Sequence, residues 1–306
     1  MRSGLKTQKA IDEVSLHKVD TSIYLAKIYV EFTPISDIIS PPFSSKLSKT
    51  LLINAYTRIG KLGILDSLFR KVKPKPLLVS PVFYMSSKSP RFMFKTEPNV
   101  PQPLILREGQ TYGFTLTIIG QLNLTSLLDA ISPGLELPLF TSRVVIRNLS
   151  VEVKNFESFK LTGDYVKFSF KTPVLLQFPK GWVRVKVPPR HSLLPIPCFL
   201  IWSLAEHWNA YAPSHLKISN VKKLAAYSNY ALVEVDYSLR PVTVIYDERR
   251  RPRGFIGWVI YEHRKLSPKL SRQLSRLLEY ANYVGVGRSR SIGFGIVDVE
   301  TLKPIR

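Results

Sequence analysis

Cysteine is almost absent from this sequence of 306 residues, in which Cys198 is the single example. One cysteine cannot form a disulfide within the chain, and it excludes zinc fingers and iron–sulfur sites that are built from clustered thiolates. Cys198 stands in an apolar segment beside Phe199 and Leu200, which favours a buried small hydrophobe over a nucleophile. This cysteine usage fits a reducing interior such as the cytoplasm.

Long apolar runs and acidic residues are also scarce. No stretch approaches the roughly 20 apolar residues that a membrane-spanning helix needs, and the polar start of the chain does not look like a secretory signal.

Asp and Glu number 22 against 44 Lys and Arg, so the formal net charge is +22. A folded protein this basic attracts polyanions. Nucleic acid is favoured over a membrane because no segment pairs a basic helix face with a Trp- and Phe-rich face. A basic surface without a specific partner is the alternative.

Apolar residues are plentiful, at 45% of the chain, which is enough to build packed cores. The length suggests about two domains of roughly 150 residues each. Residues 22–160 predict the element order β-α-β-β-α-β, which is the ferredoxin-like pattern, and residues 161–306 predict a looser copy of it. The predicted fold class is therefore α+β, with two tandem ferredoxin-like (RRM-like) domains after a tail at residues 1–21.

The hydrophobic pattern places individual elements within this plan. A helix is predicted over about 46–58, because leucines and an alanine recur on one of its faces. Strands are predicted over 224–246, with a break at Pro241, and over 292–299. A helix is predicted from a first-turn proline at position 268 to about position 281.

A glycine-rich loop between this last helix and the last strand is the sharpest motif. It reads GVGRSRSIGFG and has four glycines in eleven residues. Glycine lets a backbone approach phosphates without a Cβ clash, and successive N–H groups can form an anion-binding nest. The loop matches neither the P-loop nor the dinucleotide fingerprint, so a long phosphate backbone is the better ligand. The candidate RNA-binding residues of the loop are Gly285, Gly287, Arg288, Ser289, Arg290, Ser291, Gly293 and Gly295. A tight turn whose glycines only satisfy geometry is the alternative.

Two further basic groups are candidates for RNA contact. The first places four arginines in five positions before a predicted strand, where a basic hairpin tip can reach a nucleic-acid groove. A charged, solvated turn explains this first group equally well. The second is a basic stripe on the helix that precedes the glycine-rich loop, for which an ordinary solvated face is the favoured reading. The residues are Arg249, Arg250, Arg251 and Arg253 in the first group, and Lys269, Arg272 and Arg276 in the second.

The helix–GVGRSRSIGFG–strand order resembles the CRISPR-associated repeat-processing endoribonucleases, the Cas "six" family of the RAMP superfamily. The segment 26–49, which ends in PPFSSKLSK, is similar to crenarchaeal members. The resemblance implies binding of CRISPR precursor RNA and one metal-independent cut within each repeat. It also implies attack by the 2′-hydroxyl on the adjacent phosphate, which gives a 2′,3′-cyclic phosphate and a 5′-hydroxyl. No cofactor and no metal site are expected.

Many members of that family use a histidine near the first helix, but residues 40–80 of this chain contain none. The resemblance to crenarchaeal members without this histidine implies that Lys46, Lys49 and Lys75 are the catalytic residues. Lysines can neutralise a phosphorane and hold it in line, and a lysine of lowered pKa can transfer protons. Lys46 and Lys49 lie three residues apart in the first turn of a helix whose predicted N-cap is Ser44 or Ser45. A solvated helix start is the alternative reading of this pair.

Other expectations concern partners. The expected partner is CRISPR repeat RNA, with pairing of two copies and transient association with a CRISPR surveillance complex as further expectations. The main alternative function is a non-catalytic RNA-binding subunit of an interference complex. A basic DNA-binding protein is a third reading, although the sequence has no helix-turn-helix signal.

Overall fold

The computed structural model describes residues 24–69, 74–86, 89–98, 102–120, 124–179, 188 and 190–303. The predicted tail at residues 1–21 lies outside this part of the chain. Within it, no helix is long and apolar enough to cross a membrane. The structure combines helices with antiparallel sheets in two domains, as the α+β prediction requires.

The N-terminal domain is built around one seven-stranded sheet in which the strands follow the order β5-β4-β7-β1-β9-β8, with β3 also paired to β7. Its elements are β1 (Tyr24–Pro34), β2 (Ile38–Ser40), α1 (Ser45–Arg58), α2 (Leu62–Phe69), β3 (Leu77–Val79), β4 (Phe83–Ser86), β5 (Ser89–Phe92), β6 (Leu104–Leu106), β7 (Tyr112–Gly120), α3 (Leu124–Ala130), β8 (Glu136–Leu139) and β9 (Ser142–Asn155). Alternate residues of β1 are buried, among them Ile28, Val30 and Phe32. These residues share a core cluster with the leucines of α1, so α1 packs on this face of the sheet.

The C-terminal domain repeats the plan with a four-stranded sheet in the order β13-β14-β10-β15. Its elements are β10 (Tyr165–Val174), β11 (Leu176–Gln177), β12 (His191–Ser192), α4 (Pro197–Tyr211), α5 (Val221–Ala231), β13 (Leu232–Thr243), β14 (Arg253–His263), α6 (Pro268–Val284) and β15 (Val297–Leu302). Numbered within the β-α-β-β-α-β unit, the spatial order is 2-3-1-4. The central strands of the N-terminal sheet repeat this order, with β4, β7, β1 and β9 as strands 2, 3, 1 and 4. The predicted ferredoxin-like architecture is therefore confirmed in both halves.

Three local expectations are wrong. The predicted strand over 224–246 begins as the helix α5, because the Asn220 side chain accepts a hydrogen bond from the backbone N–H of Lys223 and caps the helix. Pro241 does not break β13, since β13 is an edge strand and an edge tolerates proline. The last strand starts at Val297 rather than at position 292, because residues 290–292 form a 3-10 turn.

The two domains are joined by a shared core and by main-chain pairing. Leu25 and Ile119 of the N-terminal sheet belong to the hydrophobic core of the C-terminal domain. The chain before β14 pairs with the chain after β5 through an antiparallel bridge between Thr96 and Val244, and the Ile245 N–H donates to the Lys95 carbonyl over 3.0 Å. This seam brings the start of α1 next to the glycine-rich loop.

Candidate functional site at the domain junction

The first turn of α1 lies against the glycine-rich loop. The Ser45 hydroxyl donates a hydrogen bond to the Ile292 carbonyl over 2.7 Å. Ser44 occupies the N-cap position but its side chain does not cap the helix, because it donates to the Met93 carbonyl and accepts from the Val82 N–H instead. The predicted N-cap position at Ser44 is therefore confirmed, but the helix has no side-chain cap there. The first turn also carries no acidic residue, so the positive end of the helix dipole is joined only by lysine charge.

Lys46 is held by an aromatic cluster from both domains. Its Nζ lies 4.9 Å from the centre of the Tyr246 ring, in a cation–π contact. Tyr246 packs on Phe43, and Phe43 stacks on Phe294 of the glycine-rich loop with ring centres 4.6 Å apart. The C-terminal domain thus supplies the surface that supports Lys46.

Lys49 and Lys75 act on each other electrostatically although they are far apart in the sequence. Both side chains are half-buried. Burial lowers the pKa of Lys49 below its usual value, and the positive charge of Lys75 lowers it further. Positive charges that repel each other near a helix start favour a bound anion. The three predicted catalytic lysines are therefore associated with the same end of α1.

The glycines of the loop serve the packing of the protein itself. A Cβ on Gly293 would meet the Pro81 ring at 2.7 Å, and one on Gly287 would meet the Leu175 carbonyl oxygen at 2.7 Å. The backbone N–H groups of residues 285–288 and 292–295 are all used within the protein. These N–H groups are therefore not free to form the expected anion nest, while RNA contact at Gly285, Gly287, Gly293 and Gly295 stays a prediction.

The polar side chains of the loop divide into two kinds. Arg288 and Ser289 are exposed, and Ser291 is half-buried. Arg290 is buried, and its guanidinium donates to the carbonyls of Gly287 and Ser203 over 2.8 and 2.9 Å. Burial lowers the pKa of Arg290 to about 10. The Arg290 side chain therefore links the loop to α4. Arg288, Ser289 and Ser291 remain the side chains of the loop that are candidates for phosphate contact.

The arginine-rich segment forms the turn between β13 and β14. Arg250 pairs with Asp247 over 2.5 Å and lies over the Tyr246 ring, while Arg251 pairs with Glu97 of the N-terminal domain. Arg249 and Arg253 are exposed, and no carboxylate in the described part of the chain lies within salt-bridge distance of either. Because Arg250 and Tyr246 are in contact, this basic turn adjoins the aromatic support of Lys46.

The basic stripe of α6 extends away from the loop. Lys269 and Arg272 are exposed and Arg276 is half-buried. Lys269 lies near the start of α6, roughly 24 Å from the loop along the helix at 1.5 Å per residue.

A separate cleft of about 500 Å³ lies between the two sheets. Tyr29 and Phe92 contribute to its wall, together with Lys27, which donates to the Asn282 carbonyl, and Lys171, which pairs with Asp298. None of the predicted catalytic lysines lines it.

Sequence reasoning missed the residues that support the site. Tyr246 stands next to the arginine run, but no sequence pattern reveals that its ring lies under Lys46. His207 and Tyr211 lie on the apolar helix α4, where they resemble ordinary core residues. The structure shows that both contact the backbone of the segment that carries Lys75.

Two family models match the chain over most of its length. The model described as "CRISPR-associated endoribonuclease Cas6" matches residues 168–297, and the model described as "Cas6 N-terminal domain" matches residues 26–159. The chain belongs to the Cas6 family. This Cas6 protein is 26% identical over 301 residues to CRISPR-associated endoribonuclease Cas6 1 of Saccharolobus solfataricus, an alignment that covers 90% of this chain and 96% of the relative. It is 25% identical over 300 residues to Cas6 2 of the same organism. The predicted family and the predicted endoribonuclease class are therefore confirmed.

Solved structures of Cas6 proteins share the fold. The product complex of a Thermus thermophilus Cas6 protein has a TM-score of 0.65 at 18% identity, and covers 90% of this chain and 99% of its own. A second Cas6 protein, in a complex with a substrate mimic, has a TM-score of 0.58 at 17% identity, with 91% and 100% covered. The two-domain architecture is thus that of known Cas6 structures.

Proposed function

We propose that this Cas6 protein cuts CRISPR precursor RNA within its repeats, without a metal ion, at a site formed by Lys46, Lys49 and Lys75. The observation that carries the proposal is the contact between the first turn of α1, which bears Lys46 and Lys49, and the glycine-rich loop, where the Ser45 hydroxyl donates to the Ile292 carbonyl over 2.7 Å. The charge of Lys75 also acts on Lys49. A chain that has no histidine over residues 40–80 needs another source of charge for the phosphorane. Lysine ammonium groups supply that charge and position the phosphate.

The proposed reaction needs only RNA and solvent. The 2′-hydroxyl upstream of the cut loses its proton to solvent, and its oxygen bonds to the adjacent phosphorus. The bond from phosphorus to the 5′-oxygen breaks, and that oxygen takes a proton from Lys49, which solvent then reprotonates. A lysine of lowered pKa is the better proton donor of the group. The products are a 2′,3′-cyclic phosphate and a 5′-hydroxyl.

The protein surface supports RNA on both sides of this point. Arg288 and Ser289 of the loop are exposed next to the start of α1, and Arg253 is exposed at the first position of β14. We assign these groups to phosphates that flank the cut. Their contacts are electrostatic, so RNA affinity falls steeply as salt concentration rises.

The test is incubation of labelled repeat RNA with the protein in EDTA, followed by end-group analysis. Cleavage in chelator and a cyclic phosphate end are expected. RNA with a 2′-deoxy sugar immediately upstream of the mapped cut is the matched control and is expected to stay intact. A product with a 3′-hydroxyl would overturn the mechanism.

The alternative of a non-catalytic RNA-binding subunit is not favoured, because both curated relatives are named endoribonucleases. We further propose that the protein acts in the cytoplasm, as its cysteine usage suggests. Pairing of two copies and transient association with a CRISPR surveillance complex stay predictions.

A further inference from the structure

Three side chains of α4 face the site from the C-terminal domain. Ser203, His207 and Tyr211 are spaced four residues apart, so they form one stripe along the helix. Ser203 receives hydrogen bonds from the Gly287 N–H, over 3.0 Å, and from Arg290. The next two members of the stripe reach across the domain boundary to the segment that enters β3.

His207 and Tyr211 hold two consecutive carbonyl groups of the N-terminal domain. The Nε2 atom of His207 lies 3.2 Å from the Lys75 carbonyl oxygen. The Tyr211 hydroxyl donates to the Pro74 carbonyl oxygen. One helix of the C-terminal domain therefore fixes the backbone on which Lys75 stands.

The hydrogen bonds of His207 assign its protonation. A carbonyl oxygen only accepts, so Nε2 carries the hydrogen and donates to Lys75. Nδ1 is then unprotonated and accepts from the Tyr280 hydroxyl, 2.8 Å away. Burial, together with the charge of Arg290, holds the pKa of His207 well below its usual value. His207 is therefore a neutral group that is buried away from solvent.

The hydrogen bonds from His207 and Tyr211 can control the position of Lys75. Its charge is felt by Lys49, and Lys75, His207 and Arg290 line the same narrow cleft. A small displacement of a group that meets the reacting phosphate has a large effect on rate. The same stripe also bonds the glycine-rich loop, so α4 fixes the position of the loop relative to Lys75.

We propose that His207 and Tyr211 are positioning residues for RNA cleavage, acting through the backbone of Lys75 to align its ammonium group with Lys49. This inference rests on the proposed function, because it gives Lys75 a role at the cut phosphate. Neither residue touches RNA. Their loss therefore slows the chemical step without weakening RNA binding.

The first experiment compares Tyr211→Phe with Tyr227→Phe. Each variant removes one phenol hydroxyl from a half-buried tyrosine of the same domain, but the Tyr227 hydroxyl bonds Ser271, between α5 and α6. Single-turnover cleavage of labelled repeat RNA by Tyr211→Phe is expected to slow about tenfold, with an unchanged dissociation constant. Tyr227→Phe is expected to match the wild type. Equal rates for the two variants would overturn the proposal.

The histidine is tested by a pair of substitutions. His207→Gln keeps an N–H donor for the Lys75 carbonyl, whereas His207→Leu removes it. The Gln variant is expected to retain more of the cleavage rate than the Leu variant when both are folded at the assay temperature. A folded Leu variant as active as the Gln variant would overturn the role of the donor.

A double-mutant cycle separates this inference from the proposed function. If Tyr211 acts through Lys75, then Tyr211→Phe causes no further loss in a Lys75→Ala background. The same fold-loss in both backgrounds would overturn the positioning role. Full activity of Lys75→Ala would overturn the catalytic role of Lys75, and the positioning role with it. A slow Lys75→Ala beside a fully active Tyr211→Phe would overturn the positioning role alone.

Discussion

The ring of Phe43 lies flat on the ring of Phe294, with centres 4.6 Å apart and planes 8° from parallel. Phe43 immediately precedes Ser44, the N-cap residue of α1, and Phe294 belongs to the glycine-rich loop. Both side chains are buried. The stack therefore joins the part of the N-terminal domain that carries the lysines to the part of the C-terminal domain that carries Arg288.

Phe294→Ala is expected to destabilise the protein by about 3–5 kcal/mol, because it removes one ring of this stack and leaves a cavity against Phe43. Urea denaturation measures the change in the free energy of unfolding. Phe140→Ala is the control, since Phe140 is 52% exposed and its truncation is expected to cost about 0.5 kcal/mol or less. A similar loss in both variants would contradict the importance of the stack.

Gly295→Ala and Gly60→Ala separate packing from backbone strain. Both glycines have φ near +70°, which costs an alanine about 1–2 kcal/mol. A Cβ on Gly60 meets nothing within 4 Å, whereas a Cβ on Gly295 overlaps the Val286 carbonyl oxygen. The free energy of unfolding is expected to fall several times more for Gly295→Ala. Equal losses would show that the loop backbone can move away from Val286.

Lys46→Ala and Lys49→Ala are each expected to lower the single-turnover cleavage rate by about a hundredfold or more, because each removes charge from the developing phosphorane. RNA affinity is expected to change little, since many other cations contact the phosphates. Lys222→Ala, which removes an exposed charge from α5, serves as the control. A loss of affinity that matches the loss of rate would reassign the two lysines to binding.

Lys75→Met is expected to raise the pKa of Lys49. The charge of Lys75 opposes the protonated form of Lys49, so its removal favours that form, while burial still holds the pKa below the ordinary value. Titration of the Lys49 side chain by NMR measures the shift. The Lys222→Met variant should leave the titration unchanged, and a fall in the Lys49 pKa after Lys75→Met would show that the two charges do not face each other.

Acid is expected to destabilise the protein partly through His207. Its folded pKa lies well below the ordinary value of 6.5, so the unfolded chain binds a proton below pH 6.5 that the folded chain does not. Stability is therefore lost as pH falls, by up to about 1.4 kcal/mol per pH unit for one such group. The slope of unfolding free energy between pH 6.5 and 5 should be shallower in His207→Gln.

Two other histidines set the background for that comparison. Burial also lowers the pKa of His191 and His263, so some slope should remain in His207→Gln. An unaltered slope in His207→Gln would mean that His207 is protonated in the folded protein.

Sequence periodicity predicted most of the fold because each long element buries one regular face. The helix α1 (Ser45–Arg58) was predicted within one residue of its observed bounds, since Leu47, Leu51 and Ala55 recur at helical spacing. Residues 224–231 were assigned to the wrong structure because their short apolar and aromatic run is compatible with a strand or a helix. The Asn220 cap favours the helix, but it can be recognised only when the backbone geometry is known.

The candidate site was less accessible to sequence reasoning. Lys49 and Lys75 were paired by family resemblance, since no local pattern links residues so far apart. The glycine-rich loop was recognised, but its composition does not say which side of the backbone faces the protein. The inward turn of Arg290 and the clasp by His207 depend on how the domains pack together, which local periodicity does not encode.

The bridge between Thr96 and Val244 implies that the two halves of the chain are needed together. The lysines, the loop that abuts them and the helix that steadies Lys75 come from opposite halves of the polypeptide, and the seam between those halves includes backbone pairing. Cutting the chain near its middle would give an N-terminal fragment that carries the lysines without the residues that position them. The C-terminal fragment would carry the loop and α4 without the lysines. Neither fragment alone should process RNA, so the smallest working unit is the pair of halves together.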